Sequence, residues 1–135
     1  MRLRYLLDTN ICIYIARQRP PAVAERFARL DNGSVGMSLI TYGELRFGAE
    51  KSIRRQEALT SLTQLSELIP VLEANATVGE RYGALRAHLE RLGTPIGNND
   101  LWIAAHALAL DVTLVTHNSR EFERVPGLKL ENWVA

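Results

Sequence analysis

Short apolar runs alternate with longer amphipathic stretches along this chain. Five apolar runs predict strands, at residues 2–7, 35–37, 69–72, 113–116 and 128–130. In the intervening stretches apolar residues recur at helical spacing, over residues 10–17, 22–30, 38–50, 53–68, 75–92 and 100–110. Strands that alternate with helices predict an α/β fold, with a central, mostly parallel sheet of four to five strands between layers of helices.

Individual residues sharpen the predicted boundaries. Ser38 follows the second strand and is a typical helix N-cap, and Gly93 marks the end of the long helix before it. Pro70 lies in the third strand, which favours an edge position because proline cannot donate a ladder hydrogen bond. Residues 100–110 are apolar almost all round, so we expect this helix to be buried on most sides.

Composition narrows the class of protein. At 135 residues the chain predicts one domain over residues 1–135, and its 47% hydrophobic and 23% charged fractions are ordinary for a globular protein. The net charge of +1 gives no overall basic field for nucleic-acid binding. No apolar stretch is long enough to cross a membrane, so we expect a cytoplasmic protein, and the lone Cys12 predicts a buried structural thiol.

Three acidic residues stand in apolar surroundings where a core would not place them. Asp8 ends the first strand, Glu44 lies two turns into the helix that Ser38 begins, and Asp100 opens the buried helix. Each alone has an ordinary explanation, since acids cap helices and form turns. Together they predict a divalent-metal site at the carboxyl edge of the sheet, where open α/β folds place their sites and where oxygen ligands suit hard cations.

Four motifs follow one another along the chain, at Leu6–Asn10, Glu44–Gly48, Pro95–Asp100 with Ile103–Ala107, and Leu114–Phe122. In this combination and order they resemble the motifs of PIN-domain proteins and, more narrowly, of the VapC toxins of bacterial toxin–antitoxin modules. The resemblance covers the whole chain.

The resemblance implies a PIN-like three-layer fold and an endoribonuclease dependent on Mg²⁺, with Mn²⁺ as a substitute. It also implies that Asp8, Glu44 and Asp100 form the metal-binding core. Many relatives carry an aspartate where this chain has Asn118, so a fourth carboxylate is missing at that position. Glu121, about one turn later, is the candidate for it, and whether Asn118 or Glu121 completes the site stays open.

Other polar residues flank these acids. Candidates to orient the carboxylates or a phosphate are Thr9, Asn10, Ser38 and Thr116, although helix capping explains Asn10 and Ser38 equally well. A run of basic residues begins two positions after Glu44 and is the candidate for RNA phosphate contacts, although such runs are often only solvated surface. It consists of Arg46, Lys51, Arg54 and Arg55.

The resemblance also implies partners. They are a structured RNA such as tRNA and a VapB-like antitoxin whose cationic side chain would approach the acids. Surplus apolar surface on the two helices over residues 39–68 predicts an antitoxin groove, and another helix face predicts a symmetric homodimer. The groove candidates are Leu45, Phe47, Leu59, Leu62 and Leu65. The alternative function is a catalytically silent PIN domain that binds RNA or an antitoxin.

Overall fold

The structure, a computed structural model, describes residues 2–134. Within them five strands and seven helices follow one another along the chain. The strands are β1 (Tyr5–Leu7), β2 (Val35–Ser38), β3 (Val71–Leu72), β4 (Thr113–Val115) and β5 (Leu130–Glu131). The helices are α1 (Thr9–Arg17), α2 (Pro21–Ala28), α3 (Leu39–Glu50), α4 (Arg55–Leu68), α5 (Ala76–Arg91), α6 (Asn98–Leu110) and α7 (Ser119–Phe122).

The strands form one sheet in the order β3-β2-β1-β4-β5, and every neighbouring pair is parallel. At the centre Leu7 of β1 lies opposite Met37 of β2 and Val115 of β4. From β1 the chain adds β2 and then β3 on one side of the sheet. It then adds β4 and β5 on the other side of β1. The crevice beyond the ends of β1 and β4 is therefore the switch point at which open α/β folds bind their ligands.

Successive residues of β1 bury into opposite faces of the sheet, as the two-residue period of a strand requires. Tyr5 and Leu7 join one apolar cluster, which includes Ile11, Val23 and Leu65 from α1, α2 and α4. Leu6 joins the other cluster, in which α5 and α6 contribute most of the remaining helical side chains. The molecule thus has three layers, with the sheet in the middle.

Most predicted boundaries agree with the structure. Ser38 is the N-cap of α3 and its hydroxyl accepts from the Ile40 N–H, and β3 lies at an edge of the sheet, as Pro70 predicts. Gly93 follows α5 with φ +73°, a conformation that glycine adopts without strain. The buried helix α6 has five consecutive buried residues, from Ile103 to Ala107.

Several details differ from the sequence predictions. The first strand begins at Tyr5 rather than at residue 2, and the sheet is wholly rather than mostly parallel. Helix α6 starts at Asn98, two residues before the start that the sequence predicts. The short helix α7 was not predicted, because four residues are too few to show a helical period.

Of the helices in residues 2–134, none combines the length and the apolar surface that a membrane crossing requires. The single domain over residues 1–135 stays a prediction.

Candidate active site

Four carboxylates approach the switch point from four different parts of the chain. Asp8 follows β1, Glu44 lies on α3, Asp100 lies in the first turn of α6, and Glu121 lies on α7, just after β4. The charges of Glu121, Asp8 and Glu44 all act on Asp100 and raise its pKa, so these three groups lie within electrostatic range of Asp100. The structure therefore brings together the acids that the sequence singled out.

Asp8 is the most buried of the four, with 6% of its surface exposed. Its carboxylate caps α1 by accepting from the Ile11 N–H at 3.0 Å, so this candidate site residue also serves as a helix cap. Burial raises the pKa of Asp8, although the Thr116 hydroxyl and the Ile11 N–H oppose that shift. A carboxylate kept this far from water gains from a cation nearby.

Asp100 is partly buried and lies near other negative charges. Partial burial, followed by the negative charge of Glu121 and then those of Asp8 and Glu44, raises its pKa to about 6. The position at the start of α6, where the helix dipole favours an anion, does not offset these effects. Near pH 6 and without a cation, Asp100 is thus protonated in about half of the molecules.

Glu44 is held from two sides by neutral donors. The Thr9 hydroxyl donates to its Oε1 at 2.5 Å, and the Asn99 side-chain amide donates to its Oε2 at 3.2 Å. The Thr41 hydroxyl lies 3.2 Å from that of Thr9 and can donate to it, which links α1 to α3 a second time. These contacts fix the orientation of Glu44 without neutralising its charge.

Glu121 is held in the same manner. Its Oε1 accepts from the Gly97 N–H at 2.8 Å, and its Oε2 accepts from the Asn118 amide at 2.8 Å. Asn118 therefore uses its side chain to orient Glu121. A Cβ atom placed on Gly97 would lie 3.7 Å from Glu121 Oε1 and 3.8 Å from Asp100 Oδ2, so these two acids face the same small space. This geometry favours Glu121 over Asn118 as the fourth anionic group.

The donor set fits a hard divalent cation, because it consists of carboxylate oxygens whose mutual repulsion a cation would relieve. Within residues 2–134, however, no three acidic, histidine or cysteine side chains already lie in a closed metal-binding arrangement. The oxygens of Glu44 and Glu121 instead accept hydrogen bonds from protein donors.

The other predicted neighbours divide into two groups. Thr9 and Thr116 contact the acids, and the Thr116 hydroxyl also accepts from the Asn118 N–H at 2.9 Å. Ser38 is buried but serves as the cap of α3 and as the partner of His106, whose Nδ1 lies 2.8 Å from its hydroxyl. Asn10 is exposed in the first turn of α1, and no hydrogen bond joins it to the four acids within the described residues.

Sequence reasoning missed Asn99 and the Gly97 N–H as partners of the acids. Both lie before residue 100, where the sequence predicts the helix to begin, and only the true start of α6 shows that their donors face α3 and α7. The available signal was the run of polar residues directly before Asp100.

The side chains of the basic run make contacts within the protein. Arg46 and Arg55 both donate to Glu50, at 2.8 and 2.7 Å, and these bonds lower the pKa of that glutamate. The Lys51 ammonium lies over the Phe47 ring, and Arg54 pairs with Glu57 at 3.8 Å. Arg46 also lies about 200° around α3 from Glu44, because each helical residue turns the direction by about 100°. Contacts of these residues to RNA stay a prediction.

Comparison with known families settles the family membership. The model of the PIN domain matches residues 5–128, which is most of the chain. The chain belongs to the PIN-domain family. The match begins at β1 and ends just before β5, so all four acids of this PIN domain fall inside it.

Within that family the chain is similar throughout to VapC proteins. It is 44% identical over 130 residues to ribonuclease VapC1 of Haemophilus influenzae strain R2866, covering 96% of this chain and 97% of that protein. It is 42% identical over 131 residues to the tRNA(fMet)-specific endonuclease VapC of Shigella flexneri, covering 97% of this chain and 98% of that one. This PIN domain is therefore a nuclease of the VapC type, in a family that is generally metal-dependent.

Solved structures agree with the sequence matches. The VapBC-1 structure from nontypeable Haemophilus influenzae has a TM-score of 0.91 and 42% identity, covering 98% of this PIN domain and the whole matched chain. The DNA-bound VapBC structure from Salmonella typhimurium has a TM-score of 0.92 and 39% identity, with 98% and 99% covered. The prediction of a PIN-like three-layer fold is thus confirmed.

Proposed function

We propose that this chain is a Mg²⁺-dependent endoribonuclease that cleaves a structured RNA, with Mn²⁺ as a substitute. The observation that carries the proposal is the meeting of four carboxylates at the switch point, with the pKa of Asp100 raised to about 6. Anionic groups that repel one another in this way gain most from a hard cation. A divalent cation can also assist phosphodiester hydrolysis by neutralising charge at the reacting phosphate.

In this proposal Asp8, Glu44 and Asp100 hold the cation, and Glu121 supplies the fourth anionic group. A bound divalent cation supplies positive charge that neutralises the phosphate and its leaving oxygen. Thr9 and Asn118 keep Glu44 and Glu121 oriented while this happens. Asp100 must lose its proton to act as a ligand, so we expect cation affinity to rise as the pH increases through about 6.

The proposed substrate class is tRNA. The Shigella flexneri relative is named a tRNA(fMet)-specific endonuclease, and so is a 39% identical relative from Salmonella typhimurium. Arg54 and Lys51, which lack the short ion pairs that Arg46 and Arg55 make, are the residues of the basic run best suited to RNA phosphates. Action on cellular tRNA would take place in the cytoplasm, as the sequence predicts.

The proposed protein partner is a VapB-like antitoxin. The solved relatives from Haemophilus influenzae and Salmonella typhimurium are VapBC structures. A groove of about 390 Å³ lies between α1, α3 and α4, and small or apolar side chains such as Ala16, Leu45 and Ala58 line it. Leu62 and Leu65 are buried and form its floor, whereas Phe47 is 65% exposed beside it on α3. A groove of this kind suits an apolar helix face. The symmetric homodimer stays part of the proposal.

The test of the proposed function is cleavage of purified total tRNA by the chain separated from its antitoxin. We expect cleavage with Mg²⁺ or Mn²⁺, none in excess EDTA, and loss of cleavage in Asp8→Asn, Glu44→Gln and Asp100→Asn. Glu121→Gln should lose more activity than Asn118→Ala, because Asn118 acts through Glu121. Sequencing of the product ends gives the cleavage site.

Two results would contradict the proposal. Undiminished cleavage by the Asp8→Asn protein would contradict the proposed metal site. A greater loss of activity in Asn118→Ala than in Glu121→Gln would reverse the assignment of the fourth group. A catalytically silent binding module is favoured by the engagement of both Glu44 and Glu121 with protein donors. That alternative predicts tRNA or antitoxin binding without cleavage at any Mg²⁺ or Mn²⁺ concentration.

A further inference from the structure

Two consecutive asparagines at the start of α6 point in different directions. Asn98 accepts a hydrogen bond from the Tyr82 hydroxyl of α5 at 2.6 Å. Asn99 donates to Glu44 Oε2 of α3 at 3.2 Å. Asp100 then follows directly and faces the other acids. The first turn of α6 therefore carries one proposed ligand and, on the residue before it, a donor that touches another.

We propose that Asn99 is a positioning residue, which holds Glu44 in the orientation that cation binding requires. The proposal rests on the proposed function, because it concerns the same four carboxylates. Asn99 and Asp100 share one helical turn, so the hydrogen bond to Glu44 ties the placement of one carboxylate to that of the next.

The hydrogen bond leaves Glu44 able to bind a cation. Each carboxylate oxygen has two acceptor directions, and Asn99 occupies one of those on Oε2 while Thr9 occupies one of those on Oε1. Both donors are neutral, so the negative charge of Glu44 remains. A free glutamate side chain would have to be ordered when the cation binds, and holding it beforehand lowers that entropic cost.

The fold does not need this contact for its stability. Asn99 is exposed, and the hydrogen bond to Glu44 lies at the surface, where such a bond contributes little because water competes for both partners. Helix α6 is held by its buried residues further along the helix. Because this contact lies beside the acidic cluster, we infer that its role is to orient Glu44.

The chain offers a matched control at the adjacent position. Asn99→Ala removes the donor to Glu44, and Asn98→Ala removes an amide of the same kind that contacts Tyr82 instead. Both residues are exposed and lie in the first turn of the same helix, so both variants change the helix start in the same way. Asn99→Gln keeps an amide donor and serves as the conservative variant.

The measurement is Mn²⁺ binding to the purified chain, followed by electron paramagnetic resonance of the free ion. We expect Asn99→Ala to weaken the affinity about 10- to 100-fold, which is the usual loss when a group that orients a metal ligand is removed. Asn98→Ala should bind Mn²⁺ as the wild type does, and Asn99→Gln should recover part of the loss. Thermal melts without metal should be alike for all four proteins.

Cleavage of tRNA gives an independent readout. At limiting Mn²⁺ the Asn99→Ala protein should be slower by the factor seen in binding, and at saturating Mn²⁺ its rate should approach that of Asn98→Ala. Equal Mn²⁺ affinity in Asn99→Ala and the wild type would overturn the inference, and so would equal losses in Asn99→Ala and Asn98→Ala. Failure of the wild-type chain to bind Mn²⁺ at all would instead overturn the proposed function.

Discussion

At the scale of single residues, the acids of the site act against the stability of the metal-free fold. Asp8 and Asp100 both have raised pKa values, chiefly because of burial, and Asp100 also feels the charges of its three neighbours. When the pKa of a carboxyl group is higher in the folded protein than in the unfolded chain, ionisation of that group lowers the free energy of unfolding. The site therefore costs stability at neutral pH, and a bound cation would restore it.

The raised pKa of Asp100 predicts that the free energy of unfolding depends on pH. The unfolded pKa of an aspartate is about 3.9, and the folded pKa of Asp100 is about 6. Between these values the folded state binds more protons, so the free energy of unfolding falls as the pH rises through that window. Asp100→Asn has no such group. In EDTA we expect the variant to gain stability relative to wild type from pH 4 to pH 7, measured by urea unfolding.

The control for this prediction is Asp31→Asn, which changes an exposed aspartate in the loop before β2. Its stability relative to wild type should change less across the same pH range. A difference between Asp100→Asn and wild type that stayed constant from pH 4 to pH 7 would contradict the raised pKa of Asp100.

At the scale of elements, the sequence predicts the strand and helix order well because burial and periodicity are local signals. The apolar all-round pattern of α6 and the cap at Ser38 both predict what the structure has. The start of α6 was wrong by two residues, since Asn98 and Asn99 are weak helix formers whose place in the helix depends on tertiary contacts. The positions of the acids were predictable, whereas the donors that hold them depend on how α3, α6 and α7 meet.

Ser38, the N-cap of α3, also contacts a buried side chain of α6. The Ser38 hydroxyl accepts from the Ile40 N–H at 3.1 Å and is also the partner of Nδ1 of His106, which is fully buried. The other ring nitrogen, Nε2, has no hydrogen-bond partner that meets normal geometry within residues 2–134. Burial lowers the pKa of His106, which favours the neutral ring. Ser38 therefore satisfies both a helix end and a buried side chain.

Ser38→Ala should cost more than the loss of an ordinary cap. An N-cap contributes about 1 kcal/mol, and a buried polar group left without a partner costs about 1–3 kcal/mol in addition. The matched control is Asn75→Ala, which removes the cap of α5 and its single bond to the Val78 N–H at 3.3 Å. Urea unfolding should show a clearly larger loss for Ser38→Ala, and equal losses in the two variants would contradict this account of His106.

At the scale of the whole molecule, the acids and the groove belong to different surfaces that share helices. Glu44 lies on α3 at the switch point, and Leu45, the next residue, lines the groove between α1, α3 and α4. The two surfaces are thus separated by a rotation of about 100° around one helix. An antitoxin seated in the groove would lie close enough to extend a segment toward the acids, while the groove itself takes no part in cleavage.

That separation predicts a chain that cleaves RNA but escapes its antitoxin. Ser61 lines the groove on α4, and Ser61→Arg would place a long charged side chain where an apolar helix face must fit. Thr63→Arg is the matched control, because Thr63 is also exposed on α4 but lies about 200° around the helix. With the antitoxin co-expressed, the Ser61→Arg chain should arrest growth and fail to co-purify with it, whereas the Thr63→Arg chain should be neutralised. Both purified chains should cleave tRNA like the wild type, and neutralisation of the Ser61→Arg chain would exclude this groove as the antitoxin site.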